Sequence, residues 1–300
     1  MKQYDFAEVE IDLHPLDHET VGNLDSGVLK QIEEACRESG VFYVTAPGID
    51  SDFVDGLFEE TKAFFDRPDD EKLKSAADYD NYYMGFRPVG SEKSVSADEY
   101  ESCEQYKLGY VKDQDGTSYS NVSERLSSSE FQSHTEYFWN SAQEISERLQ
   151  QYFAVILGFE PDYFDQFMAF PLHNLGLNYY PADSGARRRL HAHVDYSLFT
   201  MLIQESEGLM VEPRQGGWLD APVRKGRLLV MVGEYLHRWS REALWAPPHC
   251  VRGTLSKKRY AIVYKQRPGF ETVISIPGTP EVHLGRLYEE KLKSIVGGFP

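Results

Sequence analysis

The sequence has few cysteines, fewer basic than acidic residues, and no long apolar segment. Its three cysteines, Cys36, Cys103 and Cys250, form no C-x-x-C pair, so we expect reduced thiols rather than a disulfide framework or a thiolate zinc site. A formal net charge of −17 argues against nucleic acid or an anionic membrane as a partner. The absence of a run of about 18 apolar residues, and of a signal-peptide pattern, predicts a cytoplasmic protein that does not enter a membrane.

The composition is that of a globular protein with enough apolar residues for a substantial core. Hydrophobic residues make up 41% of the 300 positions, and no internal repeat or low-complexity tract divides the chain. Barrels of β-strands with added helices often reach this size as one domain. We therefore expect residues 1–300 to form a single domain, present as a monomer or a weak homo-oligomer.

Helical periodicity is clear near the N-terminus. Leu29, Ile32 and Cys36 recur at helical spacing and predict a helix over residues 25–39. Gly40 directly follows, and glycine readily takes the left-handed conformation that ends a helix. The first predicted helix therefore stops at this glycine.

Two further helices are predicted along the chain. Ser51 is the expected N-cap of the second, which Pro68 would stop. Its buried stripe is predicted at Phe53, Leu57, Phe58, Thr61, Phe64 and Phe65. The third is a long helix over residues 129–158, capped by Ser129 and expected to lie as a spine along the outside of a barrel.

From residue 175 onward the pattern changes to short alternating runs that are typical of strands. The predicted strands are 175–180, 197–204, 209–212, 227–232, 249–253 and 259–265. Short strands after a run of helices indicate a jelly roll, so we expect a mostly β protein with a double-stranded β-helix (cupin-like) core over residues 170–270. Residues 76–129 are expected to form loops and short strands, and residues 271–300 a C-terminal extension.

The pattern most informative for function is His193-Val194-Asp195, with His249 further along the chain. Two imidazoles and one carboxylate can bind one side of an ion and leave the opposite positions open, which is the ligand set of mononuclear non-haem Fe(II) oxygenases. His193 and Asp195 are two residues apart, so on a regular strand both side chains would face the barrel interior. His191 would share that face, and we expect it beside the metal rather than bound to it.

Ordered matches to one known family run through nearly the whole chain. In the first half they include residues 9–13, 35–44, 48–49 and 64–72; in the second half they include Asn178-Tyr179-Tyr180-Pro181, His193-Val194-Asp195, Gly208-Leu209-Met210-Val211, Gly233-Glu234-Tyr235-Leu236, His249 and Arg259. In these segments the chain resembles the isopenicillin N synthase-like branch of the 2-oxoglutarate and Fe(II)-dependent oxygenases. Residues 1–128 then correspond to the N-terminal region of that family.

The resemblance implies a specific chemistry. His193, Asp195 and His249 would hold Fe(II), with 2-oxoglutarate and O2 as cosubstrates and ascorbate as a candidate stimulant. Enzymes of this family convert 2-oxoglutarate to succinate and CO2 while oxidising an unactivated C–H bond of a small molecule, often one of secondary metabolism. The expected protein is thus a 2-oxoglutarate/Fe(II)-dependent dioxygenase, in the first instance a hydroxylase.

The resemblance also assigns cosubstrate residues. Arg259 occupies the position of an arginine that holds the distal carboxylate of 2-oxoglutarate through two parallel hydrogen bonds. Asn178 and Tyr180 match positions that line the cosubstrate pocket. Two departures stand out: Ala261 replaces a serine whose hydroxyl would bind the same carboxylate, and residues 241–242, Arg-Glu, replace a usual Asn-Gly turn.

Other functions remain open at this point. An oxidase of the same fold could desaturate or cyclise its substrate, with or without 2-oxoglutarate. A non-redox cupin-like carrier would bind metal without turnover, and a zinc hydrolase could use the same three ligands. Arg87 and the run Arg187-Arg188-Arg189 could bind an acidic group. Such residues are usually solvated surface charges, however, and we expect these arginines on the surface.

Overall fold

The structure is a computed structural model that describes residues 6, 9–13, 24–45, 49–77, 83–94, 96, 98–112, 119–121, 126, 128–182, 188–252 and 257–296. The helices within these residues are α1 (Ser26–Glu38), α2 (Ser51–Phe65), α3 (Asp69–Lys72), α4 (Ser129–Ile156), α5 (Glu234–Trp239) and α6 (Leu284–Ile295). The strands are β1 (Glu10–Asp12), β2 (Val41–Thr45), β3 (Gly85–Arg87), β4 (Glu104–Lys112), β5 (Tyr119–Asn121), β6 (Asn174–Tyr180), β7 (Arg188–His193), β8 (Phe199–Gln204), β9 (Leu209–Val211), β10 (Leu219–Asp220), β11 (Leu228–Val232), β12 (His249–Arg252), β13 (Arg259–Gln266), β14 (Val273–Ile274) and β15 (Val282–His283).

Two sheets form the barrel. The larger has the order β1-β2-β11-β8-β13-β6-β4-β3, with β5 paired to β4, and the smaller has the order β10-β9-β12-β7. Side chains from both sheets meet in one apolar cluster, in which Val211 and Val251 of the smaller sheet pack with Leu202 and Val263 of the larger. Apart from β9 and β10, which pair within the smaller sheet, strands β6 to β13 therefore alternate between two facing sheets, which is the double-stranded β-helix that the sequence pattern predicts.

Strand β13 shows how alternation positions the site. Ala261 and Val263 belong to the apolar cluster inside the barrel, whereas Tyr260, Ile262 and Tyr264 belong to the cluster beneath the helices. Successive side chains of a strand point to opposite faces, so one strand serves both layers. Residues 259, 261, 263, 265 and 267 consequently share the barrel interior.

The N-terminal helices follow the prediction closely. Asp25 caps α1 by accepting a hydrogen bond from the backbone N of Val28 at 2.9 Å, and Gly40 has φ +71° directly after the helix. A side chain there would meet strain, because left-handed backbone is unfavourable for residues with a Cβ atom. The predicted helix stop is therefore confirmed.

The predicted caps of the other two long helices are each wrong by one residue. Asp50, not Ser51, caps α2 by accepting from the backbone N of Asp52 at 2.8 Å. Ser128, not Ser129, caps α4 by accepting from the backbone N of Phe131 at 3.0 Å. Adjacent residues of these types cap helices almost equally well, so sequence alone does not choose between them.

Other differences concern elements that the sequence pattern did not predict. Helices α5 and α6 were not predicted, the bounds of the strand that carries His193 were not given, and β4, within the segment expected to hold short strands, has nine residues and pairs with β6. In α2, Val54 is buried, whereas Phe53 is half-buried and stacks on Tyr137 with ring centroids 4.0 Å apart. No helix among the described residues is long and apolar enough to cross a bilayer.

Candidate metal centre and cosubstrate pocket

His193 and His249 meet across one pair of strands. His193 is the last residue of β7 and His249 the first of β12, and the two are directly opposite in the antiparallel register. Their ring centroids lie 4.3 Å apart. The fold thus brings together two histidines that are distant in sequence, as the metal-site hypothesis requires.

Asp195 completes the group, but from a different backbone setting than predicted. It lies two residues beyond the end of β7, so it does not share a regular strand with His193. Its carbonyl oxygen accepts from the backbone N of Glu234 at 2.8 Å, which ties it to the start of α5. Gly233 permits this close approach, because a Cβ atom there would overlap the carbonyl oxygen of Ser197.

The geometry of the three side chains fits a single metal ion. One ligand atom from each residue lies within 4.8 Å of the others. Nε2 of His193 is 3.6 Å from Oδ1 of Asp195, and Nε2 of His249 is 3.7 Å from Oδ2. Within the part of the chain that the structure describes, no other group of His, Cys, Asp or Glu side chains meets this condition.

Hydrogen bonds orient both imidazoles. Nδ1 of His193 donates to the carbonyl oxygen of His191 at 2.9 Å, and Nδ1 of His249 donates to that of Pro247 at 3.2 Å. A carbonyl oxygen can only accept, so each neutral ring carries its proton on Nδ1 and presents the Nε2 lone pair towards Asp195. This arrangement prepares both rings as metal ligands.

The electrostatics favour the deprotonated ligands. Burial alone would raise the pKa of Asp195, but Lys265, His249 and His193 hold it well below its usual range. Burial, reinforced by His193, lowers the pKa of His249 to about 4. Oδ2 of Asp195 also accepts from Oγ1 of Thr200 at 2.6 Å. At neutral pH Asp195 is therefore a carboxylate and His249 an uncharged imidazole, which are the protonation states that metal binding needs.

The cosubstrate candidates line the same cavity as the metal group. Arg259 of β13 is directly opposite Tyr180 of β6, and two residues further along the pair Ala261 is opposite Asn178. All four line the cavity that also contains His193, Asp195 and His249. These seven residues, from four segments of the chain, thus lie around one cavity.

Arg259 is buried and incompletely paired. It is 2% exposed, and its guanidinium carbon lies 4.9 Å from the ring centre of Tyr180. Nη2 donates to Oε1 of Gln204 at 2.8 Å, whereas Nε and Nη1 have no hydrogen-bond partner among the described residues. Burial lowers the pKa of this guanidinium, and Tyr180 partly offsets the shift. A carboxylate in the cavity would further stabilise the charge of Arg259.

Two further residues belong to the site that were not predicted from the sequence. Gln204 of β8 holds Arg259, and Nζ of Lys265 lies 2.5 Å from Oδ1 of Asp195. The available signal was the alternation of β13, since Lys265 is an even number of residues from Arg259 and so faces the interior. Gln204 gave no comparable signal, because its register against Ala261 appears only once the strands pair.

Two arginines differ from expectation, whereas His191 lies beside the metal group without belonging to it, as expected. Arg87 and Arg189 are buried rather than solvated: Arg87 pairs with Glu92, and Nη1 of Arg189 donates to the carbonyl oxygen of Tyr180 at 3.2 Å. The side chains of Arg187 and Arg188 lie outside the described residues. The ring of His191 lies between Glu101 and Glu99, at 3.0 and 3.1 Å, while its carbonyl oxygen orients His193.

Comparison with known proteins decides the family. Residues 10–126 match a family model described as non-haem dioxygenase in morphine synthesis N-terminal, and residues 171–268 match the 2OG-Fe(II) oxygenase superfamily. The chain belongs to the 2OG-Fe(II) oxygenase superfamily. The second match contains both histidines, Asp195 and Arg259, so the family segment and the cavity coincide.

Individual relatives agree with this assignment. The chain is 26% identical over 273 residues to a homoarginine-6-hydroxylase of Glycine max, covering 83% of this chain and 81% of the relative. It is 24% identical over 262 residues to a 2-oxoglutarate-dependent dioxygenase of Aspergillus niger, covering 84% and 81%. Its fold is similar to that of a full-length Neurospora crassa protein solved with alpha-KG, with a TM-score of 0.78, 22% identity and 95% coverage of both chains.

The prediction of a 2-oxoglutarate/Fe(II)-dependent oxygenase is therefore confirmed. The protein is a dioxygenase of this superfamily that uses Fe(II) and 2-oxoglutarate, with O2 as the second cosubstrate, and acts on a small molecule. The carrier and zinc-hydrolase alternatives have no support from these matches. The double-stranded β-helix core is likewise that of the structural relatives.

Proposed function

We propose that this oxygenase hydroxylates an unactivated C–H bond of a small-molecule metabolite. In this proposal His193, Asp195 and His249 hold Fe(II), and Arg259 binds the distal carboxylate of 2-oxoglutarate beside Asn178 and Tyr180. When bound, Fe(II) and 2-oxoglutarate supply the electrons that activate O2, releasing succinate and CO2. The chain itself orients these partners and keeps bulk water from them.

The observation that carries the proposal is the incompletely paired guanidinium of Arg259, whose Nε and Nη1 have no hydrogen-bond partner among the described residues, in the same cavity as the three metal-site residues. An unpaired buried cation is costly, and a planar guanidinium matches a carboxylate through two parallel hydrogen bonds. Fe(II) at one end and Arg259 at the other would engage both carboxylates of 2-oxoglutarate. The lining residues thus fit a dicarboxylate that bridges metal and arginine.

An anaerobic titration tests the ligand assignment. Fe(II) and then 2-oxoglutarate are added to the purified protein, and the visible spectrum is followed for the metal-to-ligand charge-transfer band of a chelated oxo acid. We expect the band in the wild type and in His283→Ala, a control that removes an exposed histidine. His193→Ala, Asp195→Ala and His249→Ala should lose both metal binding and the band. A normal band in all three variants would refute the assignment.

Product analysis separates hydroxylation from the oxidase alternative. A hydroxylase adds one oxygen atom to its substrate and releases one succinate per turnover. Desaturation or ring closure removes two hydrogens instead. Mass spectrometry of the product, combined with succinate measurement, distinguishes these results for any substrate found.

We further propose that residues 1–300 act as one catalytic unit in the cytoplasm, as a monomer or weak homo-oligomer without a nucleic-acid partner. In support, segment 1–128 supplies β2 and β4 to the main sheet, and the spine helix over 129–158 packs on α2 and β13. Segment 271–300 supplies Tyr288 and Lys291 to the cavity formed by the core over 170–270. The net charge of −17 disfavours phosphate backbones. Light scattering and a DNA-binding assay at low salt test these points.

A further inference from the structure

Five basic side chains besides Arg259 line the cavity, Lys93 and Lys107 among them. Lys265 and Arg267 follow Arg259 along the same face of β13, and Lys291 enters from α6. This concentration of positive charge contrasts with a chain whose formal net charge is −17. The cavity therefore has a local charge that the overall composition does not explain.

Two of these cations have no acidic partner. Among the residues that the structure describes, no carboxylate lies within ion-pair distance of Arg267 or Lys291, whereas Lys265 pairs with Asp195. Arg267 instead donates from Nε to the carbonyl oxygen of Tyr196 at 2.6 Å, and Nζ of Lys291 lies 5.3 Å from the centre of the Tyr196 ring. These contacts hold the side chains in place without neutralising them.

The acidic residues of the cavity are already engaged. Glu101 lies within hydrogen-bond distance of the His191 ring and accepts from its backbone N, and Glu92 pairs with Arg87. Burial, reinforced by Lys265, lowers the pKa of Lys291 to about 8. The charged form of this lysine is thus destabilised in the protein alone, as expected for a cation that awaits a partner.

Bound Fe(II) and 2-oxoglutarate leave this excess in place. The two charges of Fe(II) are balanced by Asp195 and the carboxylate of 2-oxoglutarate next to the metal, and Arg259 is balanced by the distal carboxylate. Lys265, Arg267 and Lys291 would then outnumber Glu101, the cavity carboxylate that among the described residues pairs with His191 rather than with a lysine or arginine, in a sheltered space. Such charges attract an anion strongly, because water screens them less than it would on a surface.

We propose that the substrate is a small organic anion whose carboxylate or phosphate is bound by Lys291 and Arg267, with Lys265 adding positive charge nearer the metal. Tyr288, Leu292 and Ile295 supply an apolar wall of the same cavity for the rest of the molecule. This inference rests on the proposed function, since it takes the metal and 2-oxoglutarate sites as assigned. It identifies the substrate class by charge and leaves the carbon skeleton open.

Binding of matched acids and amides tests the proposal. The probes are phenylacetate with phenylacetamide, octanoate with octanamide, and phenyl phosphate with phenol. Affinities are measured by calorimetry on protein loaded with Mn(II) and 2-oxoglutarate, and also on metal-free protein. We expect at least one anion to bind about tenfold more tightly than its neutral partner, as charge-assisted hydrogen bonds predict. A preference for the carboxylates over phenyl phosphate, or the reverse, identifies the anionic group.

Variants of α6 locate the effect. Lys291→Met should abolish the preference for the anion while changing the affinities of the neutral partner and of 2-oxoglutarate by less than about twofold. Lys291→Arg should retain the preference. Lys293→Met is the matched control, because Lys293 is exposed on the same helix and does not line the cavity.

Two results would overturn the proposal: no preference for the anion in any of the three pairs, or an equal loss of 2-oxoglutarate affinity in Lys291→Met, which would assign this lysine to the cosubstrate. Failure of the proposed function is distinguishable from both. If the proposed function is wrong, the wild type will not bind 2-oxoglutarate. The comparison of each anion with its neutral partner on metal-free protein does not depend on 2-oxoglutarate binding.

Discussion

Nζ of Lys265 lies 2.5 Å from Oδ1 of Asp195, so a lysine contacts the carboxylate of the proposed metal site. The contact neutralises Asp195 while no metal is bound. A divalent cation at the same carboxylate would then lie close to the ammonium group and be repelled by it. The pair therefore couples metal affinity to the charge at position 265.

Removing that charge should strengthen metal binding. Two unit charges about 5 Å apart near a protein surface interact by about 3 kcal/mol. Even if solvent screens about half of this repulsion between the ammonium group and the metal ion, Lys265→Met should bind Mn(II) at least about tenfold more tightly than the wild type. Calorimetric titration in the absence of 2-oxoglutarate measures this. Lys258→Met, which removes an exposed lysine paired with Asp66, is the control and should match the wild type. Unchanged or weaker binding in Lys265→Met would contradict the prediction.

Arg259 should be essential for cosubstrate affinity in a way that lysine cannot replace. Arg259→Lys keeps the charge but loses the planar fork, so we expect the Kd for 2-oxoglutarate to rise about tenfold or more, and further in Arg259→Met. Metal affinity should stay constant, which separates this effect from unfolding. Arg252→Lys, at an exposed arginine paired with Asp220, serves as the control. The prediction fails if Arg259→Met binds 2-oxoglutarate normally.

Restoring the hydroxyl at position 261 should improve that affinity. Ala261 is buried beside Arg259 on the same face of β13, where a serine oxygen could donate to the same carboxylate. A hydrogen bond to a charged group contributes about 1.5–3 kcal/mol at best, so Ala261→Ser should lower the Kd for 2-oxoglutarate by about tenfold. The gain should disappear in an Arg259→Met background, as a double-mutant cycle would show. An equal gain in both backgrounds would mean that the hydroxyl acts elsewhere.

The sequence predicted those parts of the site that depend on strand alternation or on family motifs. His193 and His249 were found as ligand types, and Arg259 was found by its place in the motif order. The resemblance placed Ala261 at a position of the cosubstrate pocket, and it lies inside the barrel. These features are local, since each follows from a residue and its near neighbours.

The rest of the site depends on contacts that no local pattern contains. Asp195 was expected on a strand with His193, yet its position is fixed by α5, which was itself not predicted. Arg87 was expected in solvent because an isolated arginine is usually exposed, but it is buried against Glu92. The contact between Asp195 and α5 joins distant segments, and the burial of the nearby Arg87–Glu92 pair depends on the packing around it, so neither is visible before the chain has folded.

The turn after α5 stores backbone strain that a single substitution should release. Arg241 and Glu242 have φ values of +53° and +65°, a region that favours glycine. Glu242 is exposed, and its backbone N donates to the carbonyl oxygen of His237 at 2.8 Å, which a glycine would preserve. Glu242→Gly should therefore raise the free energy of unfolding by about 0.5–1 kcal/mol in urea titrations. Glu242→Ala keeps the Cβ atom and should give no gain; a gain of equal size there would exclude backbone strain as the cause.

His173 should make stability depend on pH. Its ring is 4% exposed, and Nδ1 accepts from the backbone N of Arg267 at 3.0 Å. Burial, with a smaller effect of Arg267, lowers the pKa of His173 to about 3 in the folded protein, against about 6.5 in an unfolded chain. The folded state therefore binds fewer protons than the unfolded state between these values, so stability falls as the pH decreases below about 6.5.

The expected contribution of this one group is a loss of about 2 kcal/mol in the free energy of unfolding between about pH 7 and about pH 5. His173→Asn offers an amide oxygen to the Arg267 backbone N but does not titrate, so its free energy of unfolding should fall less steeply over that interval. Urea titrations of both proteins at matched pH values measure the difference in slope, which a constant packing cost of the substitution does not affect. His283→Asn, at an exposed position, should retain the wild-type slope. Parallel pH profiles for the wild type and His173→Asn would show that this imidazole is not buried in its uncharged form.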